Sequence, residues 1–464
     1  MALGGCTGAP EQGQPADRPG AGRSAGPGFP PGAPGLGDPY FPTYGNSGYD
    51  VSNYRLRVRY DPSTDQLTGT ATITAEATAA IGRFNLDLAG LTVSSVKVDG
   101  ADAGHSRDGS ELMVTPAAGL SRGARFTVEV AYAGVPAPIR SPELGEGGFI
   151  HTTDGAIALG EPESASTWFP VNDHPADKAS YHVEVTVPAG LSALSNGVPG
   201  DRRSADGWTT WTWSERAPMA SYLATLVIGD YRVRTGEHGG KPMVTAVAAS
   251  LPEGAAESSL ARTGEVADYL ATLFGPYPFE SYGGIVVDDQ RIRYALETQS
   301  RPVYSSGYFR SGANVGVVVH EIAHQWFGNS VSISRWSDIW LNEGFASYAE
   351  WLWEEHAGGR SVRSNFDAQY AATDWSEVSL DPGREDLFGR AVYKRGALAV
   401  HALRMTVGDA AFFRILKTWV TERRDGNGTT ADLVALAERI SGKKLGPLFD
   451  AWLSGTTAPP VPGR

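Results

Sequence analysis

Cysteine is nearly absent from this sequence: Cys6 is the only one among 464 residues. A single cysteine excludes an intramolecular disulfide and a cluster of thiolate ligands around a metal. Positive charge is also scarce, since 39 Lys and Arg stand against 52 Asp and Glu, which gives a formal net charge of -13. This charge argues against binding nucleic acid or an anionic membrane through a broad basic face. No apolar run reaches the roughly 20 residues that cross a bilayer, so we predict no transmembrane span.

Apolar and aromatic residues, by contrast, are plentiful. Hydrophobic residues make up 41% of the chain, and 12 Trp, 18 Tyr and 16 Phe are enough for well-packed interiors. The chain is too long for one ordinary hydrophobic core, so we expect two or three domains. We expect a soluble acidic protein and favour a monomer, although no pattern in the sequence bears on the oligomeric state.

The first 37 residues are poor in large apolar groups and rich in Gly and Pro, which predicts a disordered tether. Within it, Leu3–Cys6 (LGGC) resembles a bacterial lipobox, whose cysteine is lipidated after cleavage of a signal peptide. That resemblance implies an extracytoplasmic protein with a lipid anchor on Cys6. Only Met1 and Ala2 precede the stretch, which is too short for the basic and apolar regions of a signal peptide. The alternative is a lone cysteine in the tail of a secreted or cytoplasmic protein.

Residues 38–233 predict an N-terminal antiparallel β-domain. Tyr54–Tyr60 (YRLRVRY) alternates polar and apolar residues strictly, as a half-buried strand does. Similar alternation recurs in Arg125–Tyr132, Tyr181–Val187 and Trp208–Trp213. Gly, Pro and Asp separate these runs, as is typical of turns.

Residues 234–457 predict an α+β domain, because helical spacing of apolar residues replaces strict alternation. The predicted helices include Val315–Phe327, Glu343–Glu355 and Ala391–Val407. A further helix is expected after Thr429 or Thr430 as N-cap, with Gly442 as its C-terminal stop. Residues 458–464 are expected to form a frayed tail. The predicted fold class is therefore multidomain, with a β-domain followed by an α+β domain.

The stretch VVVHEIAHQWFGN carries two histidines at helical spacing. Residues four apart lie on one face of a helix, so His320 and His324 can offer ring nitrogens to one ion. Imidazole suits zinc, and Glu321 stands where an HEXXH pattern places the general base for a zinc-activated water. The alternative is a core helix with two satisfied histidines.

A third ligand favours the metal. Glu343 lies in WLNEGFASYAEW, another helical stretch, and a catalytic zinc usually takes three protein ligands. A carboxylate on this second helix would complete a site of His320, His324 and Glu343 for one zinc ion.

Four segments resemble the aminopeptidase N-like family of gluzincins, which also contains leukotriene hydrolase. The Asn-Glu pair ending at Glu343 resembles the third-ligand pair of gluzincins, and HEIAHQWFGN matches the family's zinc helix through Asn329. YALETQSRPVY stands where the family has Gly-Ala-Met-Glu-Asn, and it retains Ala295 and Glu297. AVYKRGA places Tyr393 on the family's catalytic tyrosine. The resemblance covers about residues 45–457 and implies a thermolysin-like catalytic domain.

The resemblance also implies roles at the substrate. Glu297 would bind the substrate's α-ammonium, with Ala295 beside it, and Tyr393 would donate to the oxyanion. Counting back from the FPVNDHPADK block places Glu161 as a second ammonium ligand, with Glu163 as the alternative. In the same segment as Glu297, Tyr294 and Thr298 replace the family's glycine and asparagine.

The sequence therefore predicts a zinc aminopeptidase that acts on peptides with a free N-terminus, with Glu321 as general base. The extra β-sandwich and helical domains of larger relatives find no counterpart, so we expect an open cleft. Two alternative functions are compatible with the same sequence. One is a gluzincin endopeptidase or a hydrolase of a non-peptide substrate. The other is a surface lipoprotein with a peptide-binding or adhesive role and an idle metal domain.

Overall fold

The computed structural model describes residues 29–141 and 145–463. Cys6 and most of the predicted tether therefore lie outside the described residues. The strands of the N-terminal half are β1 (Tyr49–Asp61), β2 (Gln66–Ala77), β3 (Phe84–Asp87), β4 (Thr92–Val98), β5 (Ala101–Asp102), β6 (Gly104–Asp108), β7 (Glu111–Thr115), β8 (Arg125–Gly134), β9 (Pro138–Ser141), β10 (Gly145–His151), β11 (Ala156–Leu159), β12 (Lys178–Pro188), β13 (Ser192–Ser195), β14 (Val198–Ala205), β15 (Trp208–Ala220) and β16 (Leu226–Gly229).

These strands form three sheets. The largest has the order β14-β15-β12-β1-β2-β8-β4-β5, and β1 and β12 are its parallel pair. In β1 the alternation buries Tyr54, Leu56, Val58 and Tyr60 and exposes the arginines between them. The second sheet, β13-β16-β11-β10-β9, leads into the active site, and the third is β3-β7-β6. The predicted antiparallel β-domain is confirmed.

The C-terminal half mixes helices with a smaller sheet. Its elements are β17 (Tyr231–His238), β18 (Lys241–Ala248), α1 (Ala255–Leu260), α2 (Thr263–Phe274), β19 (Tyr282–Val287), β20 (Ala295–Leu296), β21 (Val303–Ser305), α3 (Val315–Ala323), β22 (Val331–Ile333), α4 (Trp340–His356), α5 (Val362–Ala372), α6 (Arg390–Val407), α7 (Asp409–Glu422), β23 (Gly426–Gly428), α8 (Thr430–Ser441) and α9 (Gly446–Phe449). The sheet has the order β17-β18-β19-β21-β20, and β22 pairs with β23. The predicted α+β domain is confirmed. Among the described residues, no helix is both long and apolar enough to cross a membrane.

The domain limits differ from those predicted. Pro31 already forms a bridge with Arg83, so the chain packs on the β-domain before residue 38. The expected boundary at residues 233 and 234 falls inside β17, which pairs with β18 of the second domain, so the change of sheet comes between β16 and β17. At the C-terminus, Tyr370 donates to the carbonyl of Pro459 at 2.7 Å, so the expected frayed tail packs on α5.

The helix that carries the histidines is shorter than predicted. α3 ends at Ala323 instead of Phe327, because the N–H groups of Gln325 and Trp326 bond only three residues back, each at 3.1 Å. Beyond Phe327 the N–H of Asn329 bonds five residues back, to the carbonyl of His324 at 3.0 Å. Gly328 takes φ 122°, which favours glycine. By contrast, the caps predicted for α8 are confirmed. The Thr429 side chain accepts from Asp432 N–H, and Gly442 is left-handed.

Candidate active site

The histidines of α3 and the glutamate of α4 meet at one point. The Nε2 atom of His320 lies 3.2 Å from Oε2 of Glu343, and that of His324 lies 3.5 Å from the same oxygen. The turn after α3 packs on α4, where the rings of Phe327 and Phe345 stack with their centres 4.5 Å apart. The three residues predicted as metal ligands are thus brought together.

Each imidazole is held through its other nitrogen. Nδ1 of His320 lies 2.7 Å from Oε1 of Glu350, and Nδ1 of His324 lies 3.1 Å from the carbonyl oxygen of Phe327. Because Nδ1 has these acceptors, Nε2 is the nitrogen of each ring that faces Glu343, and loss of its proton would free a lone pair for a metal, as metal-ligating histidines require. The sequence analysis missed Glu350. Its signal is its position seven residues after Glu343, two turns along the same face of α4.

The cluster is electrostatically coupled. Burial alone would raise the pKa of Glu343, but the charge of His324 and hydrogen bonds from both imidazoles lower it to about 2. Burial lowers the pKa of His324, but the charges of Glu343 and Glu297 outweigh it and raise it to about 9. The negative charge of the Glu343 carboxylate therefore lies where the Nε2 atoms of the two imidazoles meet.

The donor set fits a zinc ion. One ligand atom from each of His320, His324 and Glu343 lies within 4.8 Å of the others. Two imidazole nitrogens and one carboxylate oxygen, with room for water, make up the ligand set of many catalytic zinc sites. A second acidic group, Glu297 and Glu321 with His324, is equally close, but Glu297 is engaged by another side chain.

Glu321 faces the same cavity, which has a volume of about 390 Å³. Its side chain is buried, and burial raises its pKa to about 8, although the imidazole charges oppose this. Glu321, the residue predicted as general base, is thus placed in the same cavity as the predicted metal ligands.

Tyr393 lines this cavity from α6. Its ring lies 6.0 Å from that of His320 and is nearly parallel to it. Two glycines allow this approach: a Cβ on Gly396 would lie 2.9 Å from the Cα of Gly344. α6 can therefore come close enough to α4 to bring the tyrosine hydroxyl over the cluster.

The residues after the HEIAH pentapeptide hold Glu297. The backbone carbonyl of Glu297 accepts from Gln325 Nε2 at 3.1 Å and from Asn329 Nδ2 at 2.7 Å. Its carboxylate accepts from the hydroxyl of Tyr222 at 3.1 Å, and burial raises its pKa. The QWFGN stretch therefore ties Glu297 to the histidine helix. Tyr222, from the β-domain, was not predicted, and no local pattern marks it.

Glu161 and Glu163 occupy different environments. Glu161 follows β11, lines the cavity beside Glu297, and keeps a buried Oε1 without a hydrogen-bond partner. Burial, reinforced by the charges of Glu297, Glu343 and Glu321, raises the pKa of Glu161 well above its usual range. Glu163 instead accepts a hydrogen bond from Tyr44 and does not line that cavity.

Two other residues of the Glu297 segment line the cavity, and a third bonds to a backbone carbonyl. Ala295, in β20, lines the cavity, as does Tyr294. Thr298 is fully buried and donates to the carbonyl of Arg301 at 2.7 Å, so its side chain shapes a turn.

Comparison with known proteins agrees with this geometry. A model described as the peptidase family M1 domain matches residues 271–452, and one described as the peptidase M1 N-terminal domain matches residues 50–223. Aminopeptidase N of Rattus norvegicus is 32% identical over 297 residues, which are 57% of this chain and 31% of the relative. Aminopeptidase M1-C of Oryza sativa subsp. japonica is 28% identical over 329 residues, 65% of this chain and 37% of the relative. The chain thus spans less than half of these curated relatives.

Solved structures are similar over their whole length. A crystal structure of an M1 zinc metallopeptidase from Deinococcus radiodurans is 32% identical with a TM-score of 0.85, covering 92% of this chain and 98% of that one. A mutant of the same Deinococcus protein was solved bound to a Tyr-Ser-Ala substrate, with the same identity and TM-score, covering 92% of this chain and 99% of that one. Both domains therefore have counterparts in one protein family, and the chain belongs to peptidase family M1.

Proposed function

We propose that this protein is a zinc aminopeptidase that removes the N-terminal residue of peptides. The observation that carries the proposal is the unpartnered, buried Oε1 of Glu161, which faces the same cavity as Glu297 and the His320, His324 and Glu343 cluster. Buried carboxylate oxygens without donors are costly unless a cation binds them. The curated relatives named above are aminopeptidases, and a structural neighbour was solved with a tripeptide substrate.

His320, His324 and Glu343 would hold the zinc. When bound there, zinc supplies a Lewis acid for the scissile carbonyl and lowers the pKa of water. The Nδ1 partners of both imidazoles keep the Nε2 atoms available, so little reorganisation is needed to bind the ion.

Glu321 would transfer the proton, and Tyr393 would stabilise the negative charge that develops on the substrate oxygen. Glu321, which lines the cavity beside both histidines, accepts the proton of the attacking water and delivers it to the leaving amine. The hydroxyl of Tyr393 donates to the oxygen that becomes negative when the carbonyl is attacked.

Glu161 and Glu297 restrict cleavage to the first peptide bond. Their carboxylates line the same cavity as Glu321 and Tyr393, so an ammonium bound to them places the first carbonyl near those two residues. A longer chain on the amino side would put an uncharged amide at this position and leave both carboxylates without a cation.

Paired reporters test the free-amine requirement. We expect the protein to hydrolyse alanine p-nitroanilide, to lose this activity with a chelator, and to regain it with zinc. Glu321→Gln should abolish hydrolysis with zinc still bound. Equal cleavage of peptides with free and acetylated N-termini would contradict the proposal and favour the endopeptidase alternative.

A matched pair of substitutions tests the ammonium anchor. We expect Glu161→Gln to lower kcat/KM on free-amine reporters by about tenfold or more, since it weakens a charge-assisted hydrogen bond. Glu163→Gln, two residues away, should lower it far less. The reverse order would assign the anchor to Glu163.

We also propose that the protein is extracytoplasmic and anchored through Cys6, because LGGC resembles a lipobox. Expression with a bacterial signal peptide and labelled palmitate should label the wild type but not Cys6→Ser. Equal labelling would leave no support for the anchor.

We further propose a monomer. Among the described residues, the exposed large hydrophobic side chains are Leu36, Val135 and Tyr308, and they are scattered along the chain. Light scattering should give a mass near the 49.2 kDa of one chain, and twice that mass would contradict the proposal.

A further inference from the structure

A second cavity adjoins the active site at the amine end. Its volume is about 580 Å³, and it shares Glu161 and Tyr294 as walls with the cavity that holds the histidine cluster. Tyr308, Asn314 and Val317, near the start of α3, line the active-site cavity but not the second cavity. The second cavity therefore meets the active-site cavity at Glu161, beside the proposed ammonium anchor, and not at the start of α3.

The chain segment before β1 builds one wall of this cavity. We call residues 38–48 the N-terminal segment; it precedes both matched family regions, the first of which begins at residue 50. Phe41 and Tyr44 from this segment line the cavity, and their rings stack at 4.6 Å. The guanidinium of Arg384 lies 4.9 Å from the Phe41 ring centre.

The N-terminal segment is tied to both domains. Asp38 accepts from the backbone N–H of Trp336 at 2.8 Å and lies 3.6 Å from Nε2 of His174 in the β-domain. The hydroxyl of Tyr40 bonds to Asp381 and accepts from the N–H of Gly383 at 2.8 Å. The aromatic wall is therefore a built part of the molecule.

Four of the charged groups around the second cavity have partners. Arg140 bonds to Glu146 at 3.1 Å, Glu163 accepts from the hydroxyl of Tyr44, and Arg384 covers Phe41. Glu161 and Glu385 also line the cavity. Most of the other lining residues are aromatic or aliphatic: Tyr44, Tyr294, Phe388, Leu387, Ile139 and Pro162.

We propose that Tyr44, which the N-terminal segment places in the wall of the second cavity, makes the enzyme prefer large aromatic side chains at the first residue of the substrate. This inference rests on the proposed aminopeptidase function. The α-carbon of the first residue lies between its ammonium, at Glu161 and Glu297, and its carbonyl, near Tyr393. A side chain directed past Glu161 and Tyr294 enters the second cavity, whose volume accommodates an indole or phenol ring.

Reporters with different first residues test the inference. The wild type should hydrolyse phenylalanine p-nitroanilide with a kcat/KM about tenfold or more above that of the alanine compound. Tyr44→Ala should reduce this preference about tenfold, through loss on the phenylalanine reporter and a change below about twofold on the alanine reporter. Tyr44→Phe keeps the ring and should retain the preference. Thr43→Ala, an exposed neighbour outside the cavity, is the matched control.

Several outcomes would overturn it. A wild type that prefers alanine, or an equal loss on both reporters in Tyr44→Ala, means that the ring does not select the side chain. A faster arginine reporter together with an unchanged phenylalanine preference in Tyr44→Ala would show that charge decides selectivity. Hydrolysis of neither reporter by the zinc-loaded wild type would instead contradict the proposed function itself.

A binding measurement on the unmodified protein does not depend on a variant's folding. By calorimetry, L-phenylalaninol should bind the wild type about fivefold or more tighter than L-alaninol, because its ring contacts the aromatic and aliphatic part of the cavity wall. Both amino alcohols keep the ammonium and the side chain but have no bond that the enzyme can hydrolyse. Equal affinities would contradict the inference even if every Tyr44 variant were unfolded.

Discussion

At the scale of single residues, the site depends on which atom of each side chain is already engaged. Glu350 and the carbonyl of Phe327 occupy Nδ1 of the two histidines, so both Nε2 atoms face Glu343. Tyr222 occupies one oxygen of Glu297. Each partner orients a side chain of the site. Tyr222 lies 75 residues from Glu297, so no local pattern predicts it, whereas Glu350 follows Glu343 by two turns of α4 and has a local signal.

Tyr393 is expected to contribute to the rate more than to substrate binding. Replacing it with phenylalanine removes a donor aimed at developing charge, so kcat should fall by about a hundredfold or more with little change in KM. Steady-state kinetics on alanine p-nitroanilide measure this. Tyr370→Phe is the matched control, because that hydroxyl bonds to Pro459 away from the cavity. A kcat within about twofold of the wild type would remove Tyr393 from the mechanism.

At the scale of elements, the site depends on how closely three helices pack. α3 supplies His320 and His324, α4 supplies Glu343, and α6 supplies Tyr393. Gly344 and Gly396 allow α4 and α6 to approach to backbone contact. The helices were predicted from periodicity, but their contact depends on two glycines far apart in sequence.

Gly396→Ala should disturb both stability and catalysis. The new Cβ would lie 2.9 Å from the Cα of Gly344, so α6 must shift, and we expect a loss of about 1–3 kcal/mol in the free energy of unfolding. Hydrolysis should fall even when zinc content is unchanged, because Tyr393 moves with the helix. Urea denaturation, zinc analysis and kinetics test this. Gly446→Ala, where a Cβ meets open space, should be neutral in all three.

His401 on α6 makes the packing of these helices sensitive to pH. Its Nδ1 accepts from the hydroxyl of Tyr348 on α4 at 3.0 Å. Burial, with the charges of Arg404 and Arg363, lowers its pKa to about 4 against the opposing charges of Asp409 and Asp367. The folded state therefore holds His401 neutral at pH values where the unfolded chain binds a proton.

The sign of the effect follows from linkage. Because the pKa of His401 is lower in the folded state, its contribution is constant above about pH 6.5 and is lost as the pH falls toward 4. Between about pH 7 and pH 5, this group should cost about 2 kcal/mol of the free energy of unfolding. His401→Gln should lose less stability over that interval. Urea midpoints of both proteins test this, and parallel curves would contradict it.

At the scale of the whole molecule, side chains from one domain bond to backbone in the other. Lys178, at the start of β12, donates to the carbonyls of Asn329, Ser330 and Gly426 at 2.8–3.3 Å. These carbonyls belong to the turn after α3 and to β23. The β-domain therefore supports the backbone beside the histidine helix, as it supports Glu297 through Tyr222.

Lys178→Met should lower the free energy of unfolding of both domains together. It leaves three carbonyls without their donor, and we expect a loss of about 2–4 kcal/mol in the free energy of unfolding, still in one cooperative transition. Activity should fall as well, because the turn carrying Asn329 is released. Denaturation followed by fluorescence and by activity tests this. Lys444→Met, at an exposed lysine paired with Glu438, should change neither. Two separate transitions would show that the domains unfold independently.

The sequence by itself determined the chemistry of the site. Zinc ligands, general base and the order of β-domain and α+β domain follow from local spacing, because helical and strand periodicities place side chains on faces within a few residues. Only the tertiary structure decided which carboxylate lines the cavity of the histidine cluster. Glu161 and Glu163 are two residues apart, and what separates them is Tyr44, which lies 119 residues from Glu163 and bonds to it. Contacts over such separations depend on how both domains pack, and no local pattern encodes that packing.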